Sequence, residues 1–431
     1  MITLTSLRAL LGAGRGPLGK YPAAALAARF TLLAALCCLP SSAADAQTER
    51  PGPPAPPGPP LPPGQPELAD QTDPTTGTSR VPSSWSYSLG LSEGYESDVR
   101  FNGDAGNGDW NTGLDGSLSR DLRLARGGVA LSGSASQLFY RRNPGQNRFM
   151  YGVAAGLSYE LTRRLVWRVS ESLTRSYSED SRILTTAGQF FPRVLTETNV
   201  AGTGLTYQVS PKTTVEGSLS GTTVKFPASE FSNGSSLSVR ANIARQVSRS
   251  QSLGISIGNT FSTGTTGDVQ GLLGTWQMTR GRSLTLSATF GVRPYTLFGV
   301  PGRRYAPGGS FGLATALGRN QTFSASYERA VEQAFGFDRT HEAHRVNASY
   351  DFALGRRVVL QGSGSYGLNT YPQIANLTLS GYTTMAGLQC RLWRQLSLTG
   401  RYGLWVRQET GIPSTSTYRT TFSLTYGGLG R

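Results

Sequence analysis

The stretch Trp85-Ser86-Tyr87-Ser88-Leu89-Gly90-Leu91-Ser92 alternates large apolar residues with small polar ones. In an extended chain, successive side chains point to opposite faces. Trp85, Tyr87, Leu89 and Leu91 therefore share one face, and Ser86, Ser88, Gly90 and Ser92 share the other. The same rule returns near the end of the chain, where Thr420, Phe422, Leu424 and Tyr426 are separated by Thr421, Ser423 and Thr425. Between these two stretches the sequence repeats one unit: roughly ten alternating residues, then a turn or loop. Eighteen such units start near residues 84, 109, 127, 149, 165, 197, 213, 235, 252, 268, 283, 309, 322, 341, 358, 379, 396 and 417.

A 431-residue chain with 38% hydrophobic residues, 54 glycines and few charges fits no ordinary packed core. After the N-terminus no apolar run is long enough for a membrane-spanning helix. Crossing a bilayer thus falls to strands, which must close on themselves to satisfy every backbone group. Disorder competes as a reading of a Gly/Ser-rich chain, but 10% aromatics at two-residue spacing oppose it. The expected fold is all-β, a transmembrane antiparallel barrel of about 18 strands; one merged or missed hairpin gives sixteen or twenty.

Three segments are expected. Residues 1–46 read as a signal peptide, with Arg8, Arg15 and Lys20, an apolar run from Ala23 to Leu36, and Ala44-Asp45-Ala46 before the cleavage point. Lipidation at Cys37 or Cys38 fits poorly, because Leu36 and Cys37 are not the small residues that should precede the modified cysteine. Residues 47–83 form a Pro-rich periplasmic segment of extended, spacer-like chain. Residues 84–431 form the barrel. Cleavage leaves Cys390 as the single cysteine and no intrachain disulfide. It also removes four basic residues and one acid, which takes the net charge from +15 to +12.

The connections alternate in length. Those after even-numbered strands are short: SRDLR (119–123), TRR, SPK, SRSQ, RGR, GRN, GRR and WRQ. Those after odd-numbered strands are longer, as in 97–107, 141–148 and 177–197. Short turns belong to the periplasmic side of such barrels and long loops to the outside, which places both termini in the periplasm. Each short turn carries Arg or Lys (Arg120, Arg163, Lys212, Arg249, Arg280, Arg319, Arg356, Arg394), suited to anionic lipid headgroups. Aromatics form two girdles: Tyr159, Trp167, Tyr207, Trp276, Phe352 and Trp393 near the turns, and Trp110, Phe149, Phe261, Phe290, Tyr382 and Tyr418 near the loops. Glu171 alone lands on the lipid face, after Leu165, Trp167 and Val169, and implies a bulge or a register error there.

On these features, over about four-fifths of the chain, the sequence resembles bacterial outer-membrane β-barrel proteins. The strand count and Arg-bearing lumen are similar to porin-like barrels and to the alginate and polysaccharide export barrels. The resemblance implies location in the bacterial outer membrane. In porins the longest connection folds into the pore. Carried over, that places Glu179, Asp180, Arg182 and Arg193 of 177–197 at a constriction, the other reading being an extracellular lid.

With apolar residues outward, the inward set contains Arg168, Arg240, Arg293, Arg345, Arg391, Arg401, Arg407 and Arg419 against Asp115, Glu160, Glu216, Glu328 and Asp351. Arg391, Arg401, Arg407 and Arg419 trace a cationic track up one wall, able either to guide anions through many weak contacts or to pair with acids and rigidify the wall. Gly90 to Gly94 matches G-x-S-x-G, but inside a strand rather than at the strand-to-helix turn a nucleophile needs. His341 and His344 fall on opposite faces of one strand, and Asn102 to Asp109 lacks calcium-loop spacing. Neither an enzyme, a cofactor, a metal site nor nucleic-acid binding is expected, and residues 47–83 are too few for a plug. The leading function is a conduit for secreting an exopolysaccharide, with the Pro-rich tether offered to a periplasmic export partner. Two alternatives stay open: a passive porin for small anionic solutes, and a non-conducting structural or adhesion barrel.

Overall fold

The structure of the protein, a computed structural model, describes residues 84–99, 107–177, 194–227, 231–263, 268–281, 283–297, 300–334, 339–371, 378–410 and 412–430. The signal segment, the Pro-rich segment and residues 178–193, with Glu179, Asp180, Arg182 and Arg193, lie outside the described residues.

Eighteen strands account for nearly all of it. The first six are β1 (Ser84–Glu96), β2 (Asp109–Leu124), β3 (Gly127–Tyr140), β4 (Arg148–Thr162), β5 (Leu165–Tyr177) and β6 (Leu195–Ser210). Then come β7 (Thr213–Lys225), β8 (Gly234–Gln246), β9 (Gln251–Thr263), β10 (Val269–Arg280), β11 (Leu284–Leu297) and β12 (Val300–Ala316). The last six are β13 (Gln321–Ala334), β14 (Arg339–Leu354), β15 (Val358–Thr370), β16 (Thr378–Arg391), β17 (Leu396–Glu409) and β18 (Ile412–Gly430). Each pairs antiparallel with its neighbours in sequence, and β1 closes on β18 from Trp85↔Gly430 to Glu96↔Arg419. The sheet is a closed barrel of the expected strand number.

The two faces of the barrel follow the alternation. Leu89, Val153, Ile255, Ile257 and Phe290 are among the large apolar side chains exposed on the outer face. A soluble protein rarely exposes more than a few hundred Å² of contiguous apolar surface, whereas a transmembrane barrel requires an apolar outer band. The inner face is laced by cross-strand hydroxyl pairs. Examples are Ser88 with Ser117 at 2.7 Å, Ser324 with Ser349 at 2.7 Å, Ser365 with Thr383 at 2.6 Å and Ser238 with Thr260 at 2.9 Å. These small side chains line the lumen without filling it.

Three sequence expectations are corrected. The first short turn lies after Leu124, at residues 125–126, not at 119–123. Arg120 is still in β2, on its outer face, with its guanidinium 4.6 Å from the centre of the Trp85 ring. Strand β12 starts at Val300 rather than 309, because Pro301 and Pro307 disguise it. It pairs with β11 as far as Val300 but with β13 only over Gly309–Ala316, so both prolines sit where the strand has one neighbour. Finally, no bulge forms at Glu171, which pairs regularly with Ala155 and Ala201; the irregularity between β4 and β5 falls at Glu160/Thr162.

The short turns gather at one end. Gly318 and Gly355, with φ of 83° and 78°, supply left-handed positions that tighten two of them. The longer connections gather at the other end, where Asp109 Oδ2 accepts the backbone N–H groups of Arg142 (2.8 Å) and Asn143 (2.9 Å) and so ties two of them together. The orientation has a direct check. In a Cys390→Ser background, Gly145→Cys should react with an impermeant thiol reagent on intact cells and Lys212→Cys should not; the reverse pattern would invert the topology.

Candidate functional site

The lumen narrows at a place the sequence did not indicate. Beyond Gly309↔Arg329, β13 leaves β12, and beyond Glu342↔Thr370, β14 leaves β15. The two strands continue as a separate ladder to Ala334↔Arg339. By alternation Val331 and Glu342 belong to the outer face, yet neither meets the outside. Val331 is buried against Tyr295 and Ala306, with Val269 packed beside them, and these three project into the lumen from β11, β12 and β10. Tyr295 Oη donates to Glu342 Oε1 at 3.4 Å, and Arg329 Nη2 donates to Glu342 Oε2 at 3.2 Å. The β13–β14 hairpin is thus folded into the barrel, its back against the inner wall. On its other flank the His341 ring stacks on Tyr371, with centroids 5.5 Å apart and planes inclined by 27°.

The front of the hairpin carries charge. Arg345, 4% exposed, is bonded through Nη2 to Glu332 and through Nη1 to Glu328 at 3.5 Å. Glu328 also interacts electrostatically with Arg293 and Arg240, and Arg240 in turn with Glu216. Five lumen charges read from the sequence (Arg240, Arg293, Arg345, Glu216 and Glu328) are therefore drawn into one group. Glu332, which the sequence reading missed, makes it three cations and three anions. A signal for the infolding existed: Arg329 and Glu342 fall at outer-face positions of their hairpin, which a lipid-facing hairpin could not tolerate.

The cationic wall lies elsewhere, on β16 to β18. Arg391, Arg401, Arg407 and Arg419 all fall on the lumen side of the register, opposite Ser397, Thr421, Thr415 and Gly403. Arg401 and Arg407 are six residues apart on one strand, a rise of about 20 Å. Arg391 and Arg401 are exposed to the lumen. Arg419 is held differently: Nη2 donates to Glu96 Oε1 at 3.2 Å, and the guanidinium lies 5.8 Å from the Trp405 ring centre. Trp405 is on the lumen face and was missed, since tryptophan reads as a girdle residue in such a sequence. Gly403 makes its position possible, because a Cβ there would lie 2.5 Å from the Trp405 ring.

Glu96, on β1, joins this wall to β3 and β4 further round the rim. It is 1% exposed and accepts from Tyr140 Oη at 2.7 Å and from Arg148 Nη2 at 3.1 Å, in addition to Arg419. Arg148, 0% exposed, sits 4.9 Å from both the Tyr140 and Tyr177 ring centres. Charge pairing and cation–π contact together compensate this buried ion group.

The remaining candidates stand apart. Asp115, Glu160, Arg168 and Asp351 have lumen register, with Asp351 Oδ2 accepting from Thr322 Oγ1 at 3.4 Å. His341 and His344 are on opposite faces of β14, and His344 Nδ1 lies 3.0 Å from Tyr327 Oη. Gly90 to Gly94 lies within β1 and forms no nucleophile elbow. Among the described residues no group of three His, Cys, Asp or Glu could hold a metal ion. Residues 100–106, most of the Asn102 to Asp109 loop, lie outside the described residues.

A closed, even-stranded antiparallel barrel with an apolar exterior and a polar lumen is a β-barrel of the bacterial outer-membrane type. No family model matches the chain, and no curated protein sequence does. Among solved structures it is similar to OpdO of Pseudomonas aeruginosa, at 13% identity over 81% of this chain and 97% of that one, with a TM-score of 0.46. OccAB4 of Acinetobacter baumannii is 12% identical over 81% and 99%, TM-score 0.45. The outer membrane protein OpdK of P. aeruginosa is 15% identical over 80% and 99%, TM-score 0.45.

Proposed function

We propose that this chain is a passive outer-membrane channel for small anionic solutes. The observation that carries the reading is the β13–β14 hairpin. By leaning on β10 to β12 it narrows the lumen, a shape suited to small solutes, and it leaves Arg391 and Arg401 exposed on β16 and β17. The ion group formed by the hairpin with β7, β8 and β11 balances three cations with three anions, so preference between anions and cations falls to the β16 and β17 wall. The channel needs no moving part and no energy source: an anion passes from one guanidinium to the next by charge-assisted contacts that are individually weak.

Secretion of an exopolysaccharide is the second reading, favoured by one feature, the flat Trp405 ring beside Arg419, where a sugar ring could stack. A polymer must thread the whole passage, and the infolded hairpin works against that. A periplasmic export partner docked on residues 47–83 belongs to this second reading.

Planar-bilayer recordings test the proposal. In a salt gradient the wild type should show an anion-selective reversal potential, and Arg401→Gln with Arg407→Gln should shift it toward cations. Arg419→Gln should shift it less, since Glu96 already offsets that charge. An unchanged potential in the double variant would remove the track from the mechanism. In cells, deletion of the gene should slow uptake of small anions and leave surface polysaccharide intact; the opposite outcome would transfer the assignment to export.

A further inference from the structure

Glu171 lies on the outer face midway along β5, between Ala155 of β4 and Ala201 of β6, with Gly221 of β7 next in the same row. The row nearer the loops holds Leu173, Asn199, Thr223 and Ser235. The row nearer the turns holds Val169, Thr203 and Leu219. On β8 and β9 the outer face is built from larger apolar residues, for example Val239, Ile243, Leu253, Ile255 and Ile257. This patch is different: a carboxylate, a carboxamide and hydroxyls set among alanines and a glycine.

Most of its polar groups have nothing to bind within the chain. Thr203 is engaged, accepting from Trp167 Nε1 at 2.9 Å and donating to the Arg168 carbonyl at 3.2 Å. Among the described residues Glu171, Asn199 and Thr223 make no hydrogen bond or ion pair, and Asn199 Oδ1 is buried without a partner. Hydrocarbon offers no donor to a carboxylate, so a charge on the lipid face carries a free-energy cost that is greatest near the bilayer midplane.

We propose that the outer face of β5 to β7, centred on Glu171, is the contact between two copies of this chain in the membrane. The copy is the fitting occupant because the patch complements itself. Identically inserted barrels stand at the same depth, so a two-fold axis along the bilayer normal returns the patch to itself in register. With the axis near β6, Glu171 of one copy meets β7 of the other, where Gly221 leaves room and Thr223 supplies a hydroxyl donor. Asn199 brings an amide donor to the same level. Ala155, Ala201 and Gly221 let the two walls approach closely, as small residues do between membrane helices.

Cross-linking in native membranes tests this. In a Cys390→Ser background, Ala201→Cys treated with a short thiol-to-thiol cross-linker should give a product of twice the chain mass, and Ile257→Cys on β9 should give none. Light scattering of the purified wild type in mild detergent should report a dimer. Glu171→Leu should weaken dimerisation at least tenfold while keeping the heat-modifiable gel mobility of a folded barrel. Three results would overturn the proposal: a product at 201 with any other mass, which would assign the patch to a different partner; no product at 201; or a Glu171→Leu chain that dimerises as the wild type does.

Discussion

Excising residues 332–341 and joining Val331 to Glu342 through an Asn-Gly turn is expected to raise single-channel conductance several-fold. The excised segment holds Glu332 and His341, and its loss ends the stacking on Tyr371 that anchors one flank of the hairpin. The wall itself should survive, because β13 stays paired with β12 below Gly309↔Arg329 and β14 with β15 below Glu342↔Thr370. Anion preference should fall only modestly, since the excision leaves Arg391, Arg401 and Arg407 in place. Conductance unchanged from wild type, in a variant that still migrates as a folded barrel, would mean that solutes do not pass the hairpin.

The second large effect is expected in stability. Glu96→Ala leaves Arg148 and Arg419 without the carboxylate between them, and breaking a buried ion group in this way costs about 3–5 kcal/mol. Urea titration of the barrel in lipid vesicles, read by heat-modifiable mobility, measures it. Glu96→Gln keeps an acceptor for Tyr140 Oη and should lose less. Pairing Glu96→Leu with Arg148→Met removes the two fully buried charges together and should recover part of the loss, while Arg419, the more exposed partner, still loses its bond to Glu96. A cost under about 1 kcal/mol for Glu96→Ala would show that water reaches the group and screens it.

The barrel was legible because a membrane barrel writes its fold into a period of two that nothing else explains. Most strand starts fall within one or two residues of the sequence reading. β18, which starts at Ile412 rather than near 417, and β12 did not; in β12 Pro301 and Pro307 deny the alternation where the strand has lost one neighbour. The turn after β2 was misplaced because Arg120, Asp121 and Arg123 resemble a charged turn, although Arg120 stays in the strand by stacking on Trp85. The lumen residues could be assigned by parity, but parity cannot say which charges meet. Arg345 faces Glu328 by register alone, but their grouping with Arg293 and Arg240 depends on a hairpin bending inward, and Glu96 with Arg148 and Arg419 depends on closure across the whole chain. Glu171 stood out as an irregularity in the sequence, and the structure leaves it in regular register on the outer face.

The seam between β1 and β18 also governs how the molecule can be made. Its partners are as remote as the chain permits: Tyr418 N–H donates to Ser97 Oγ across 321 residues, and Arg419 reaches Glu96 across 323. Every other pairing joins segments adjacent in sequence and can form while later strands are still arriving. This one cannot form until the last strand exists, and contacts of such separation are the slow ones in folding. Until then two strand edges stay unpaired, each a template for wrong pairing with another chain. A nascent barrel of this kind is therefore a molecule with a deadline, and its exposure to wrong pairing at open edges ends when the final twelve registers are in place.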